Sequence, residues 1–477
     1  MATETRILAT LVVHETRRLL RSPVLVAGTV GSAYLVWRWA TRWAPVWPEM
    51  SAWMAGALLP LAAVSWFTAA WLAARDRRNG TAEIVEATPT SGRLREAAFM
   101  LSGIGPLVAA GAVLLVGGIF VAVDAVGAPR WWEIVGGVAM VAFAWVGGFA
   151  LGRLSSLLAA LAFPVLAHWT LVASPDVELG AAAETGRLGL AGLAPWVPPS
   201  IFEPAEHTLL RPSALHALFL LALTGTVAAS FLLRHERRLW AVAALALLLV
   251  PTVLTARRLI AQPTPFWDWT EATATQPCEE RAGTTYCFYP MYRPWVDDWA
   301  ETVETIAALA PLDLTAVVQQ PGDEVVAGPF AGRDDVVAAP IRWDRQGRTP
   351  LRRFAFAARV AASVVGLDSQ PCSAAGQGRL AFVLWAASVA SEDQGAIVGS
   401  QDRVDELLAR WRPDPATIGL AATLTTRDVE QVAAVFSTHL DDLRDPATST
   451  EQVAEWFDVT IPVASGTENV GLVSSCR

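Results

Sequence analysis

Seven stretches of the chain, roughly 24–43, 51–74, 99–123, 132–152, 156–174, 213–233 and 239–256, are apolar and close to 20 residues long. That length constrains the fold because about 20 helical residues cross the hydrocarbon core of a bilayer. A backbone inside lipid finds no water, so a spanning segment bonds its own N–H and C=O groups as a helix. The pattern predicts a membrane α-helical protein with seven transmembrane helices within 23–258. The fifth stretch is short. The first carries Arg38 and Arg42, which must snorkel to a surface or face protein.

Ahead of these stretches, Arg6, Arg17, Arg18 and Arg21 interleave with Ile7, Leu8, Leu11, Val12, Leu19 and Leu20 at loosely helical spacing. Residues 1–22 therefore read as an amphipathic helix on the cytoplasmic membrane surface, with Pro23 opening the next element. No small-residue cleavage site follows a short apolar core, so a secretory signal peptide is not expected. Trp37, Trp39, Trp43 and Trp47 cluster at one end of the first span, and Trp131 and Trp132 open the fourth, as in an interfacial aromatic belt.

Short loops rich in Arg or Lys stay on the cytoplasmic side. With the amino terminus inside, the inner loops hold Arg75, Arg77, Arg78, Arg93, Arg95, Arg153, Arg234, Arg237 and Arg238. The outer loops hold Arg130, Arg187 and Arg211, and Arg257 and Arg258 run against the rule after the last span. Seven crossings place residues 259–477 outside the cell membrane as an extracellular domain. Between the fifth and sixth spans, the external segment 175–212 is rich in proline, and its apolar part 189–197 is suited to a re-entrant or surface helix.

Charge and cysteine agree with that division. Residues 1–262 carry 20 Arg against 15 acids, a net of +5, whereas 263–477 carry 16 Arg against 30 acids, a net of −14. Such asymmetry suits two environments. An acidic domain gives no support for nucleic-acid binding. All four cysteines, Cys278, Cys287, Cys372 and Cys476, lie in the second part. An even count in one polar domain suits two disulfides in an oxidising space, with four free thiols as the alternative. Cys278 and Cys287 enclose a short turn and are expected to pair locally, leaving Cys372 for Cys476. Helices are expected at about 296–309, 350–366, 378–391, 402–411, 426–440 and 450–457, and strands at 314–319 and 336–341. The domain therefore reads as mostly helical α+β.

The chain contains no lysine, so all 36 basic residues are arginine, as a GC-rich genome produces. A P-loop needs lysine on the terminal phosphates, and Schiff-base chemistry needs it too, so neither is available here. No HExxH occurs, and His439 is the sole histidine after residue 262. A zinc peptidase needs two helical histidines and a carboxylate. An enzyme is not expected, nor a cofactor or metal in this chain. The paired acids Asp297–Asp298, Asp334–Asp335 and Asp441–Asp442 read as solvated faces rather than cation sites. Glycines crowd the third and fourth spans, where small residues let helix backbones approach. His168 and Asp124 are the polar residues that a path through the membrane could use.

The most distinctive motif is the loop DRRNGTAEIVEATPTSGRLRE between the second and third spans. It is polar and arginine-rich, with room for one helical turn, and suits a docking site for a cytosolic protein. Together with the amino-terminal HETRRLLRSP, six spans and an outer segment between the fifth and sixth, it resembles the type-2 family of ABC transporter permeases over about residues 1–240. The matching loop positions are Gly80, Thr81, Glu83, Pro89 and Ser91. The resemblance implies a coupling helix that fits a cleft in a separate cytoplasmic ATPase, which would bind ATP and Mg. Arg77, Arg78, Gly80, Thr81, Glu83, Glu86 and Pro89 would form that contact. Thr81 would cap the turn, Glu83 and Glu86 would sit near its amino end, and Pro89 would help stop it. The resemblance also implies an exporter subunit that works with a second permease copy or a homologous permease. The chain departs from the family by a seventh span and about 215 further residues. A membrane-anchored extracellular binding or sensing protein is the alternative.

Overall fold

Among the described residues, the long apolar stretches are helical. The computed structural model describes residues 2–41, 46–81, 83, 91–122, 124–155, 162, 165, 192–196, 212–233, 239–262, 275–320, 333, 335–341, 343, 351–367, 377–391, 411 and 413–460. Two compact units result, one within Met1–Phe266 and the other formed mainly by Trp267–Arg477.

The first unit is a helical bundle. It comprises α1 (Ala2–Leu20), α2 (Pro23–Ala40), α3 (Trp47–Gly56), α4 (Leu59–Ala73), the single turn α5 (Arg75–Arg78), α6 (Gly92–Ser102), α7 (Ile104–Val121), α8 (Trp131–Leu154), α9 (Ser213–Leu233) and α10 (Leu239–Ile260). Pro23 opens α2, and α1 meets α2 at a bend of 64°. Among the described residues, five helices are long and apolar enough to cross a membrane, or six if the bent pair makes one span. The fifth expected span, 156–174, lies outside the described residues except for Ala162 and Val165, which are helical.

Helix α8 is the hub, packed against α3, α4, α7 and α9. Its glycines explain how. A methyl group on Gly148 would lie 2.4 Å from the Trp66 carbonyl oxygen, and one on Gly152 would lie 2.6 Å from Ala70 Cα. A methyl on Gly137 would come within 2.9 Å of Ala55 Cα. Only a residue without Cβ lets the two backbones approach this closely, the usual device of helix pairs in lipid. The fourth apolar stretch therefore uses its glycines for packing, whereas Gly111 and Gly118 on α7 face open space. Leu115, Val108 and Ile119 on α7 and Leu247 on α10 are exposed, an apolar surface suited to lipid.

The second unit is mixed. Strands β1 (Cys278–Arg281) and β2 (Thr284–Cys287) form an antiparallel hairpin in which Cys278 faces Cys287, and the two are disulfide-bonded. The connecting Ala282 and Gly283 both have positive φ, the combination that a tight right-twisted hairpin demands. Strand β3 (Ala316–Gln320) pairs parallel with β2, and β4 (Val336–Pro340) pairs parallel with β3. Parallel neighbours need a crossover, which α11 (Val296–Leu309) supplies between β2 and β3. All residues of β3 and β4 are buried, so neither strand alternates between a core face and a solvent face, although β3 ends in the buried polar pair Gln319 and Gln320.

Among the described residues this unit also holds α12 (Leu351–Val364), α13 (Gly378–Ala390), α14 (Pro415–Thr425), α15 (Val429–Thr438), α16 (Leu440–Arg444) and α17 (Thr450–Trp456). The expected helices at 296–309, 350–366, 378–391 and 450–457 are present. That at 426–440 starts at the Asp428 cap and breaks at His439. Helix α14 was not expected, although Asp414 caps it and Pro415 opens it. The expected helix 402–411 lies outside the described residues except for Trp411, as do Cys372 and Cys476.

Candidate functional site

The loop after α5 is built by the rules of helix ends. Helix α5 closes at Gly80, whose φ of +67° is comfortable only for a residue without Cβ. The Thr81 N–H donates to the Asp76 carbonyl at 2.9 Å and the Gly80 N–H to the Arg77 carbonyl at 3.2 Å. This pair of bonds is the Schellman pattern that satisfies the last carbonyls of a helix. The Thr81 hydroxyl turns back to the same Asp76 carbonyl at 3.4 Å. At the far side of the loop Ser91 caps α6, accepting from the Leu94 N–H at 3.3 Å. Gly80 and Thr81 thus mark where α5 stops, and Ser91 marks where α6 begins. Glu83 is helical and exposed, while Glu86 and Pro89 fall outside the described residues.

The arginines fasten this loop to the bundle. The Arg77 guanidinium donates to the carbonyl oxygens of Gly152, Arg153 and Leu154, the last two at 2.6 and 3.2 Å. These are orphan acceptors at the carboxyl end of α8, where the helix dipole also favours a cation. Arg75 pairs with Glu15 of α1 at 3.7 Å. Arg153, at the end of α8, donates to the Glu96 carboxylate of α6 at 3.1 Å, and Glu96 is buried. The guanidinium carbon of Arg78 lies 3.4 Å over the Trp71 ring. Helix α1 itself packs against α6. The junction therefore links α1, α5, α6 and α8 through charged contacts at one end of the bundle. Sequence reasoning identified Arg77 and Arg78 and put Arg153 in an inner loop, but missed Glu15 and Glu96. The signal for Glu96 was a lone carboxylate entering an apolar run.

The opposite end of the bundle is closed by aromatic packing. The Trp196 indole N–H donates to the Ala52 carbonyl at 3.0 Å, and its ring lies against Trp53, which stacks on Trp39 at 4.0 Å. Here Ala194 and Trp196 are buried, so the apolar segment expected near 189–197 enters the bundle at these positions. His216 on α9 bonds the Ala194 carbonyl at 2.9 Å, and Glu133 on α8 is buried. Asp124 is exposed, and His168 lies outside the described residues.

In the second unit one or both members of each acid pair meet donors, and Asp334 lies outside the described residues. Asp297 meets Arg281, and Asp298 accepts from the Trp343 indole at 2.9 Å and from Arg353 at 3.1 Å. Hydrogen bonds from Arg333 and Thr315 hold the Asp335 carboxyl well below the usual carboxylate range. His439 stacks on Trp456 at 4.5 Å and contacts the Asp442 carboxylate at 3.2 Å. Burial, with Glu304 nearby, pushes the Tyr286 hydroxyl up to about 12. Among the described residues, no group of three or more His, Cys, Asp or Glu side chains is placed to hold a metal ion.

Comparison of the chain with protein-family models, curated proteins and solved structures finds no match.

Proposed function

We propose that this chain is the membrane-spanning permease subunit of an ABC transporter, an exporter coupled through its 75–96 loop to a separate cytoplasmic ATPase. The observation that carries the reading is the arginine junction. A loop that only connected two spans would need no tie to other helices, yet Arg75 and Arg77 fasten this one to α1 and to the end of α8. Force applied at Glu83, just beyond the Gly80 stop, has a short polar route into the hub helix. In this reading Arg77 and Arg78 serve as struts behind the docking surface, and exposed Glu83 faces the ATPase. Seven spans, a cytoplasmic amino terminus, a dimer of permeases and an extracellular second unit complete the proposal.

Purification in mild detergent tests it directly: a P-loop ATPase should accompany the chain. Glu83→Arg or removal of 81–86 should abolish transporter-stimulated ATP hydrolysis while leaving membrane insertion intact. Unchanged stimulation in both variants would refute the docking role. Absence of any ATPase would favour the membrane-anchored binding protein, a reading supported by the separate compactness of the second unit.

A further inference from the structure

A groove of about 500 Å³ opens where α1 bends into α2 beside α4. Its polar end is formed by Arg18 and Ser22, and its wall by Leu19, Val24, Phe67 and Trp71. Val24, Phe67 and Trp71 are exposed large apolar side chains, whereas Leu19 is buried beneath them. A cation and a hydroxyl at one end and aromatic and aliphatic surface along the other match a ligand with an anionic head and an apolar tail. Basic pockets beside transmembrane helices on the cytoplasmic side are suited to anionic lipid headgroups, and Arg and Trp at that depth snorkel to the interface.

We infer that this groove is a binding site for an anionic glycerophospholipid, with the phosphate on Arg18 and Ser22 and one acyl chain along Phe67 and Trp71. A zwitterionic lipid carries its own cation to the same place and gains less from Arg18. The bound lipid would brace the α1–α2 bend, and α1 carries Glu15, the partner of Arg75 in the loop junction. The inference rests on the proposed membrane placement but not on ATPase coupling, and its test contains no ATPase.

The experiment is lipid binding to the purified full chain in mild detergent, read by native mass spectrometry and by thermal unfolding, with phosphatidylglycerol and phosphatidylcholine as probes. Phosphatidylglycerol should bind more tightly and raise the unfolding temperature. Arg18→Gln should weaken that binding about fivefold, the worth of one cation near an anionic headgroup. Arg18→Lys should retain most of it, and Arg6→Gln, on the same helix outside the groove, should retain all. Val24→Trp, which fills the groove and keeps every charge, should also lower affinity. It provides the decisive comparison if Arg18→Gln does not fold. Equal binding of phosphatidylcholine, an Arg6→Gln loss as large as that of Arg18→Gln, or competition by inorganic phosphate as effective as by the lipid would overturn the inference. So would wild-type affinity in both groove variants.

Discussion

Removing the Arg77 side chain should loosen the end of the hub helix before it does anything else. The guanidinium meets three successive carbonyls, those of Gly152, Arg153 and Leu154. A charged hydrogen bond contributes about 1.5–3 kcal/mol when well shielded, but Arg77 is exposed, so that upper range does not apply. The better guide is a cation at a helix carboxyl end, about 0.3–1 kcal/mol at the surface and up to about 2 when partly buried. Three acceptors in one fork argue for the top of the surface range, about 1 kcal/mol. That corresponds to roughly fivefold more frequent opening of the last turn. Hydrogen exchange by mass spectrometry over 150–155 in Arg77→Ala should show that gain, while exchange in the middle of α8 stays as in the wild type. Arg77→Lys should fall between the two, because an ammonium keeps the charge but lacks the planar fork. If Arg77→Ala left exchange over 150–155 unchanged, the strut role of Arg77 would be wrong, and with it the route from loop to hub.

Two further outcomes follow from the packing and the titrations. Gly148→Ala places a methyl 2.4 Å from a backbone oxygen of α4 and should cost about 1–3 kcal/mol in chemical unfolding, whereas Gly118→Ala, facing open space, should be neutral or mildly stabilising. The folded pKa of Tyr286 is raised from 10.0 to about 12, so its contribution is fully present below pH 10 and is lost as the pH rises towards 12. Two pH units correspond to at most about 2.7 kcal/mol, and a Tyr286→Phe variant should lack this alkaline loss when unfolding is followed between pH 9 and 12.

Legibility divided along physical lines. Long apolar stretches announce themselves because the bilayer imposes one length and one secondary structure. The expected 213–233 span and helix α9 accordingly coincide, and 132–152 lies within α8. Helices of the second unit were legible where amphipathic spacing met a cap, as at Ser449, whose capping box with Gln452 opens α17. Helix α14 escaped because Gly419 interrupts a short, evenly apolar run with no polar face to reveal its period. The short turn between Cys278 and Cys287 was read, but strands β1 and β2 beside it escaped because the turn is Ala-Gly, without the Asn or Asp that usually marks positive φ in a hairpin. In the loop, the Gly80–Thr81 pair was visible, but its reason was not. Helix termination explains it through bonds to Asp76 and Arg77, which lie upstream of the pair rather than in the turn expected after it.

The contacts of the junction are long-range, and this is why the sequence concealed them. Glu15 lies 60 positions before Arg75 and Glu96 lies 57 before Arg153, so no local pattern joins them. The arginines were nonetheless visible as a topological signal, because loops that carry them stay on the cytoplasmic side. In a chain with no lysine, the residues that set orientation also present the planar fork that can hold several acceptors at once. Arg77 uses that geometry on three carbonyls and Arg78 uses its flat face on Trp71. A lysine-rich loop would satisfy the same charge rule with point charges on flexible stems and would tie the helices less firmly. The loop can therefore be both an inner-surface marker and a stiff link between helices, with the second property following from side-chain shape rather than from charge.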